Sequence, residues 1–273
     1  MSKKEPVKLG PIRKTYIWGT EDWLLSYLHP GFEEIPLLIK EITAREPLSV
    51  QVHPGDGFAW EQERSRGKTE MWYVTDCEPG AYLYYGLKHR ISPNEFRKRL
   101  QNQTLLEVCR KVPVKKGDVF YIPAGLLHAI GKGITVIEVQ QSSDITYRVY
   151  DYNREDADHR KRPLHIGKAA QVAGWMPPLQ GRHPMGPRIE KNGYSRTLLV
   201  QCPYFVVQLY EVEEEMEGTL SGAFQSVLIL EGKGTLRCGP ESFEVNKGDS
   251  FFLPQEMGSY TLTGRLQILI SEV

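Results

Sequence analysis

The chain has 273 residues, and its 34 lysines and arginines are matched by 34 aspartates and glutamates, so the formal net charge is zero. That balance argues against a general nucleic-acid binder, which carries a basic excess. The absence of any apolar run of about 18 residues argues against a membrane span. The polar start Met1 to Lys8 is not expected to act as a secretory signal. Cys77, Cys109, Cys202 and Cys238 are far apart with no CxxC. They read as reduced thiols rather than a disulfide frame or a cysteine zinc site, and a cytoplasmic setting is expected.

Taken in chain order, most apolar residues fall in short runs with strand periodicity. The first five are Leu48 to Val52, Met71 to Val74, Tyr82 to Tyr85, Val119 to Ile122 and Val136 to Val139. Four more follow at Phe205 to Tyr210, Val227 to Leu230, Ser250 to Leu253 and Gln267 to Ile270. Rich in Val, Ile, Tyr and Phe and punctuated by Gly, Pro and Asp, they predict many short strands in a sandwich or barrel rather than βαβ units. Helical signals are few. Ser92-Pro93-Asn94-Glu95 is a capping box with proline at the first helical position, followed by Phe96 and Leu100 on one face. A second short helix is expected from Thr104 and a third around Leu164 to Val172. The Pro- and Gly-laden stretch 174–193 reads as a linker between two β units.

One segment repeats. Lys116-Gly117-Asp118-Val119-Phe120-Tyr121-Ile122-Pro123 returns as Lys247-Gly248-Asp249-Ser250-Phe251-Phe252-Leu253-Pro254. A Lys-Gly-Asp turn feeding an aromatic strand, found twice, points to two copies of one β unit. The copies differ five residues past the proline, where the first has His128 and the second Ser259. The expected layout is an N-terminal segment (1–45) packing on the first unit, a chemistry-bearing unit with a helical insertion (46–173), the linker, and a second, metal-free unit (194–273).

The candidate metal ligands lie in the first copy. Gln51 and His53 are two apart, so on a strand both face the same side. Glu70 opens the next strand run, and His128 follows the strand ending at Ile122. Two imidazoles, a carboxylate and a neutral amide oxygen suit one Zn²⁺ per chain or another divalent ion, with a position left for water or substrate. Spacing alone leaves a second reading open, in which each is a hydrogen-bonded histidine or a surface charge.

At these residues the sequence closely resembles the class I mannose-6-phosphate isomerases (phosphomannose isomerases), especially their short bacterial form. The resemblance is carried by Pro47 to Pro54 (PLSVQVHP), Gly67 to Tyr73 (GKTEMWY), Ile122 to Ala129 (IPAGLLHA) and Val136 to Arg154, which contains Glu138 to Tyr152 (EVQQSSDITYRVYDY). It implies an all-β-dominated bicupin, two jelly-roll β-barrel units with a few short helices, that interconverts mannose 6-phosphate and fructose 6-phosphate. It places the family's metal positions on Gln51, His53, Glu70 and His128, usually with zinc, and further active-site positions on Lys68, Glu138, Asp144 and Arg148. The N-terminus departs from the pattern. Between Glu21-Asp22-Trp23 and Ile35 to Lys40 the chain lacks a segment that is helical in relatives.

The implied chemistry sets expectations for these side chains. Lys68 is two residues from Glu70 and shares its face, which suits proton transfer or charge stabilisation. Glu138 alternates with Ile137 and Val139 and is expected to face the pocket. Arg148 is expected to hold a sugar oxygen or stabilise negative charge, with Asp144 orienting it or relaying protons. The phosphate anchor is not legible, nor is the oligomeric state. The shortened N-terminus keeps a rival in play, a non-catalytic or regulatory sugar-phosphate-binding cupin. A metal-dependent dioxygenase is a second rival, though such sites commonly use more histidines.

Overall fold

The computed structural model describes residues 5–156, 158–220 and 222–273. Among the described residues, twenty strands and three α-helices follow one another. The first run is β1 (Val7–Leu9), β2 (Ile12–Tyr16), β3 (Gly19–Leu25), β4 (Leu37–Ala44), β5 (Val50–Val52), α1 (Asp56–Glu63), β6 (Glu70–Cys77) and β7 (Tyr82–Leu87). Then come α2 (Pro93–Gln101), β8 (Cys109–Pro113), β9 (Val119–Ile122), β10 (His128–Ala129), β11 (Ile134–Gln141), β12 (Tyr147–Tyr150) and α3 (Ile166–Val172). The last run is β13 (Arg188–Lys191), β14 (Tyr194–Gln201), β15 (Val206–Val212), β16 (Glu215–Thr219), β17 (Phe224–Cys238), β18 (Glu241–Asn246), β19 (Ser250–Pro254) and β20 (Ser259–Glu272). The fold is all-β in character, as the residue patterning implies.

Two compact units divide the chain. One comprises Met1–Ile12, Trp23–Ile39 and His183–Val273, the other Arg13–Asp22 and Lys40–Arg182. The unit boundaries fall within β2, β3 and β4 and between Arg182 and His183.

The second of these units holds a five-stranded sheet ordered β12-β5-β10-β7-β8 and most of a six-stranded sheet ordered β2-β3-β4-β11-β6-β9. The alternation of side chains along each strand sets what each face buries. Trp72 and Val74 of β6, Val136 of β11, and Leu83 and Tyr85 of β7 share one core with Phe120 and Ile122. Val50 and Val52 of β5 belong to a different core, shared with Phe96 and Leu100 of α2 and Ala169 and Ala170 of α3. Because the two valines face the helices, Gln51 and His53 face the other way. The α2 cap forms as its sequence dictates, with Glu95 N–H donating to Ser92 Oγ at 3.1 Å and Pro93 leading the helix. The segment from Thr104 makes one 3₁₀ turn, Leu105–Glu107, and α3 lies where a helix was expected. Helix α1 was not anticipated.

The other unit holds a nine-stranded sheet whose main order is β1-β19-β17-β20-β15-β14-β13. Its core gathers Val227, Ile229, Phe251, Leu253, Ile268 and Ile270 among others.

The repeated octapeptide builds the same turn twice. Gly117 and Gly248 adopt φ of 90° and 89°, a left-handed conformation that costs glycine little. Lys115 N–H donates to Asp118 Oδ2 at 3.0 Å, and Asn246 N–H to Asp249 Oδ2 at 3.0 Å. Gly117 N–H reaches the Val74 carbonyl and Gly248 N–H the Ile229 carbonyl, each at 2.8 Å. This aligns Val74 with Ile229 and carries through the sheets. Glu70, Trp72, Glu138 and Gln140 form one cross-strand quartet, and Gln225, Val227, Ile270 and Glu272 occupy the matching positions.

Candidate metal centre

The Gln51 and His53 side chains leave β5 on one face, and β10 and β12 bring their neighbours alongside. His128 stands opposite Gln51 in one antiparallel pairing and Arg148 opposite Gln51 in the other. Glu70, first residue of β6, pairs with Ile122 and Gln140. Ligand atoms of His53, Glu70 and His128 thereby lie within 4.8 Å of one another. His53 Nε2 is 3.6 Å from Glu70 Oε2, and His128 Nε2 is 3.2 Å from Glu70 Oε1. All three residues are buried, at 1%, 0% and 0% exposure.

Each imidazole is oriented by a backbone carbonyl. His53 Nδ1 lies 2.8 Å from the Ile145 carbonyl and His128 Nδ1 2.8 Å from that of Leu126. With Nδ1–H donated outward, both Nε2 lone pairs face the cluster, which is the outer-shell arrangement that metal-binding histidines use. Burial lowers the pKa of both rings, His53 well below its ordinary value and His128 to about 4, so both are neutral at pH 7. His53 Nε2 and both Glu70 oxygens are buried with no hydrogen-bond partner among the described residues. Such groups are costly to leave unmade. Burial and the nearby charge of Glu138 push Glu70 up to about 8, against the opposing charges of Lys68 and Lys40. Two neutral imidazoles and a converging carboxylate therefore fit a divalent ion. The Gln51 amide nitrogen lies 3.3 Å from His128 Nε2, and a 180° turn of that amide would present its oxygen.

The comparisons with known proteins agree with this geometry. Residues 195–273 match the family model described as mannose-6-phosphate isomerase, cupin domain. The mannose-6-phosphate isomerase of Streptococcus mutans is 39% identical over 236 residues, covering 86% of this chain and 73% of the relative. Mannose-6-phosphate isomerase ManA of Bacillus subtilis is 36% identical over 242 residues, 88% of this chain and 76% of the relative. The chain belongs to the mannose-6-phosphate isomerase family. A crystal structure of the Bacillus subtilis mannose 6-phosphate isomerase superposes with a TM-score of 0.90 at 31% identity, over 98% of this chain and 99% of that one.

A buried ionic cluster adjoins the triad of this family member. Lys68 Nζ lies 3.0 Å from Glu70 Oε2 and 3.8 Å from Glu138 Oε1. Glu138, 2% exposed, accepts the Trp72 indole N–H on Oε2 at 2.8 Å and the Lys40 ammonium on Oε1 at 3.2 Å. Burial alone would raise the Glu138 pKa, but Lys68, Lys40 and the Trp72 donor outweigh it and hold the carboxyl near 2. Burial likewise opposes the Lys40 charge, yet Glu138 and Glu21 hold its pKa above the ordinary value. Glu21 Oε2 is 3.5 Å away.

Arg148 borders this group. Its Nε donates to Ser49 Oγ at 3.2 Å and its Nη1 to the Pro163 carbonyl at 3.1 Å. Asp144 does not join it: the residue is exposed and interacts electrostatically with Lys14. Lys40, Glu21 and Trp72 belong to the cluster and escaped the sequence reading. The available signal was a lysine directly after the apolar run Leu37 to Ile39, in a strand otherwise expected to be buried.

Lys68 and Glu70 are held by a bracket of hydrogen bonds. Thr69 N–H donates to Gln141 Oε1 at 2.9 Å, while Gln141 Nε2 and Gly67 N–H both reach Asp56 Oδ1, at 3.0 and 2.8 Å. Lys68 N–H donates to the Pro54 carbonyl at 3.0 Å. Helix α1 thus starts against the segment that carries the lysine and the carboxylate.

Proposed function

We propose that this chain interconverts mannose 6-phosphate and fructose 6-phosphate with one divalent ion, zinc by its donor set, held by His53, Glu70, His128 and Gln51. The observation that carries the proposal is the buried triad of two neutral imidazoles and a carboxylate beside a row of buried ammonium and carboxylate groups.

Aldose–ketose isomerisation moves one proton between C1 and C2 and another between their oxygens. A divalent ion, when bound, polarises the sugar oxygens and offsets the negative charge that develops on them. The Lys68 ammonium, 3.0 Å from Glu70, is placed to donate to a sugar oxygen and to recover that proton later. Lys68, Lys40 and the Trp72 donor favour the charged form of Glu138. Its part is to fix the Lys40 and Lys68 ammoniums, so that charge is arranged before substrate arrives. Arg148, half-buried at the border, offers guanidinium donors to an anionic sugar phosphate. Burial of the triad excludes water from the reacting carbons.

Among the described residues no helix is long and apolar enough to cross a membrane. All four cysteines are thiols outside any disulfide, which suits a reducing compartment, and we place the protein in the cytoplasm.

A coupled assay for fructose 6-phosphate formed from mannose 6-phosphate tests the proposal, run before and after chelation and again after zinc is restored. Turnover lost with chelator and regained with zinc is the expected result. Sugar-phosphate binding without turnover in metal-replete protein would sink it and favour the non-catalytic cupin.

A further inference from the structure

Arg148 has only one side-chain partner named above, the small hydroxyl of Ser49. A long guanidinium with such sparse support loses several rotatable bonds' worth of freedom if it is to stay in one place. Its second anchor is the carbonyl of Pro163, which lies on a returning segment of irregular backbone. That segment meets β12 again at His165. The Arg148 N–H lies 3.2 Å from His165 Nδ1, and His165 N–H donates to the Arg148 carbonyl at 2.7 Å. Whatever fixes residues 162–165 fixes Arg148.

One carboxylate does so. Asp151, 5% exposed, accepts Arg162 Nε on Oδ2 at 2.7 Å and Arg162 Nη2 on Oδ1 at 2.6 Å. That is the bidentate fork of a guanidinium on a carboxylate, the geometry with the least freedom. Oδ1 also accepts Arg154 Nη2 at 2.5 Å. Arg154 in turn donates from Nη1 to the Pro47 carbonyl at 2.6 Å, two residues before Ser49. Asp151 therefore ties down both anchors of Arg148, the Pro163 carbonyl through Arg162 and the Ser49 approach through Arg154. It is also the negative charge set among three guanidiniums, those of residues 148, 154 and 162, which would otherwise repel one another.

We infer that Asp151 is a positioning residue that holds Arg148 in place for the reaction through Arg162 and Arg154. The inference rests on the proposed isomerase reading for its kinetic arm, but the clamp itself can be read without turnover.

The test uses the full-length, metal-loaded protein and the Asp151→Asn, Arg162→Lys and Arg148→Lys variants. Arg162→Lys keeps the charge and loses the fork, and serves should Asp151→Asn fold poorly. Two readouts are taken: kcat and KM in the coupled assay, and solvent-exchange protection of the Arg148 Nε–H in ¹⁵N NMR, assigned by its loss in Arg148→Lys. We expect Asp151→Asn to strip that protection and to lower kcat roughly 10- to 100-fold, the scale of a small misplacement of a substrate-contacting group. Metal content should be unchanged, and Asp151→Asn should add little further loss in the Arg148→Lys background. Asp151→Glu should recover part of the rate. Protection retained in Asp151→Asn and Arg162→Lys overturns the clamp. Protection lost with kcat intact, or additive losses in the double variant, overturns the role in the reaction. Failure of the isomerase reading shows separately, as a wild-type protein without turnover.

Discussion

Trp72→Phe isolates a single buried hydrogen bond beside the metal centre. The indole N–H is the donor to Glu138 Oε2, at 2.8 Å, and Trp72 and Glu138 are 1% and 2% exposed. Phenylalanine keeps the apolar ring and deletes the donor, so one oxygen of a buried carboxylate loses its indole partner. A hydrogen bond to a charged group contributes about 1.5–3 kcal/mol, and the space left by the smaller ring costs roughly 1 kcal/mol more. At about 2–4 °C per kcal/mol for a protein of this size, the melting temperature should fall by about 10 °C. Glu138 also steadies the ammoniums of Lys40 and Lys68, so a loosened carboxylate should cost about tenfold in kcat, near 1.4 kcal/mol. A double-mutant cycle with Glu138→Gln, read by calorimetry, separates the hydrogen bond from the cavity. A coupling of about 1–3 kcal/mol is expected. Coupling indistinguishable from zero would refute the reasoning, because the stability loss would then come from packing alone.

Three further outcomes follow from the geometry. His128→Ala removes one imidazole of the triad, so elemental analysis should find the metal content falling from one ion per chain toward none, with far-ultraviolet circular dichroism unchanged; retained metal would remove His128 as a ligand. Burial opposes the Asp151 charge, but the hydrogen bonds from Arg162 and Arg154 outweigh it and hold the carboxyl below its ordinary value. Its stabilising contribution is therefore complete above the unfolded pKa near 3.9 and is lost as the pH drops through the lower folded value. Melting curves of wild type and Asp151→Asn should converge as pH falls below about 4 and separate above it, and parallel curves would contradict this. A Cβ on Gly67 would sit 2.5 Å from the Asp56 nitrogen and 2.6 Å from the Gly55 carbonyl carbon, and that backbone cannot yield without moving Lys68. Gly67→Ala should cost about 1–3 kcal/mol in stability and lower kcat, while wild-type rates would show that the bracket is softer than its contacts imply.

The strands, the Ser92 cap and the repeated turn were legible because each depends on chemistry within a few residues. Period-two alternation also puts Gln51 with His53, and Lys68 with Glu70, on common faces from spacing alone. Helix α1 was not legible. It contains Gly57, its only buried residue is Ala59, and Trp60 is 61% exposed, so it lacks the apolar stripe that announces a helix. Long-range bonds hold it instead, chiefly Gln141 to Asp56 across 85 positions. Lys40 was hidden for the same reason, since its partner Glu138 lies 98 positions away. Asp144 was placed near Arg148 by resemblance alone, and its exposed setting gives the alternation rule nothing to grip.

The repeated turn makes the two β units a controlled comparison of scaffold with chemistry. Both keep the glycine turn, the aspartate that closes it and the same strand register, so the backbone frame does not depend on the metal ligands. The side chains at matching positions have diverged as a set. Where the first copy has the Glu70 carboxylate, the second has Gln225, whose amide donates to Glu272 at 2.8 Å and accepts the Tyr260 hydroxyl at 2.9 Å. Where Trp72 faces Glu138, Val227 faces Ile270. The second copy thus pairs its Gln225 amide within the protein and replaces the indole–carboxylate pair with aliphatic packing. That combination avoids the desolvation cost that the first copy carries in its buried ionisable groups. A buried site with unsatisfied lone pairs is expensive to keep in the folded chain, and a cation bound there would offset that cost.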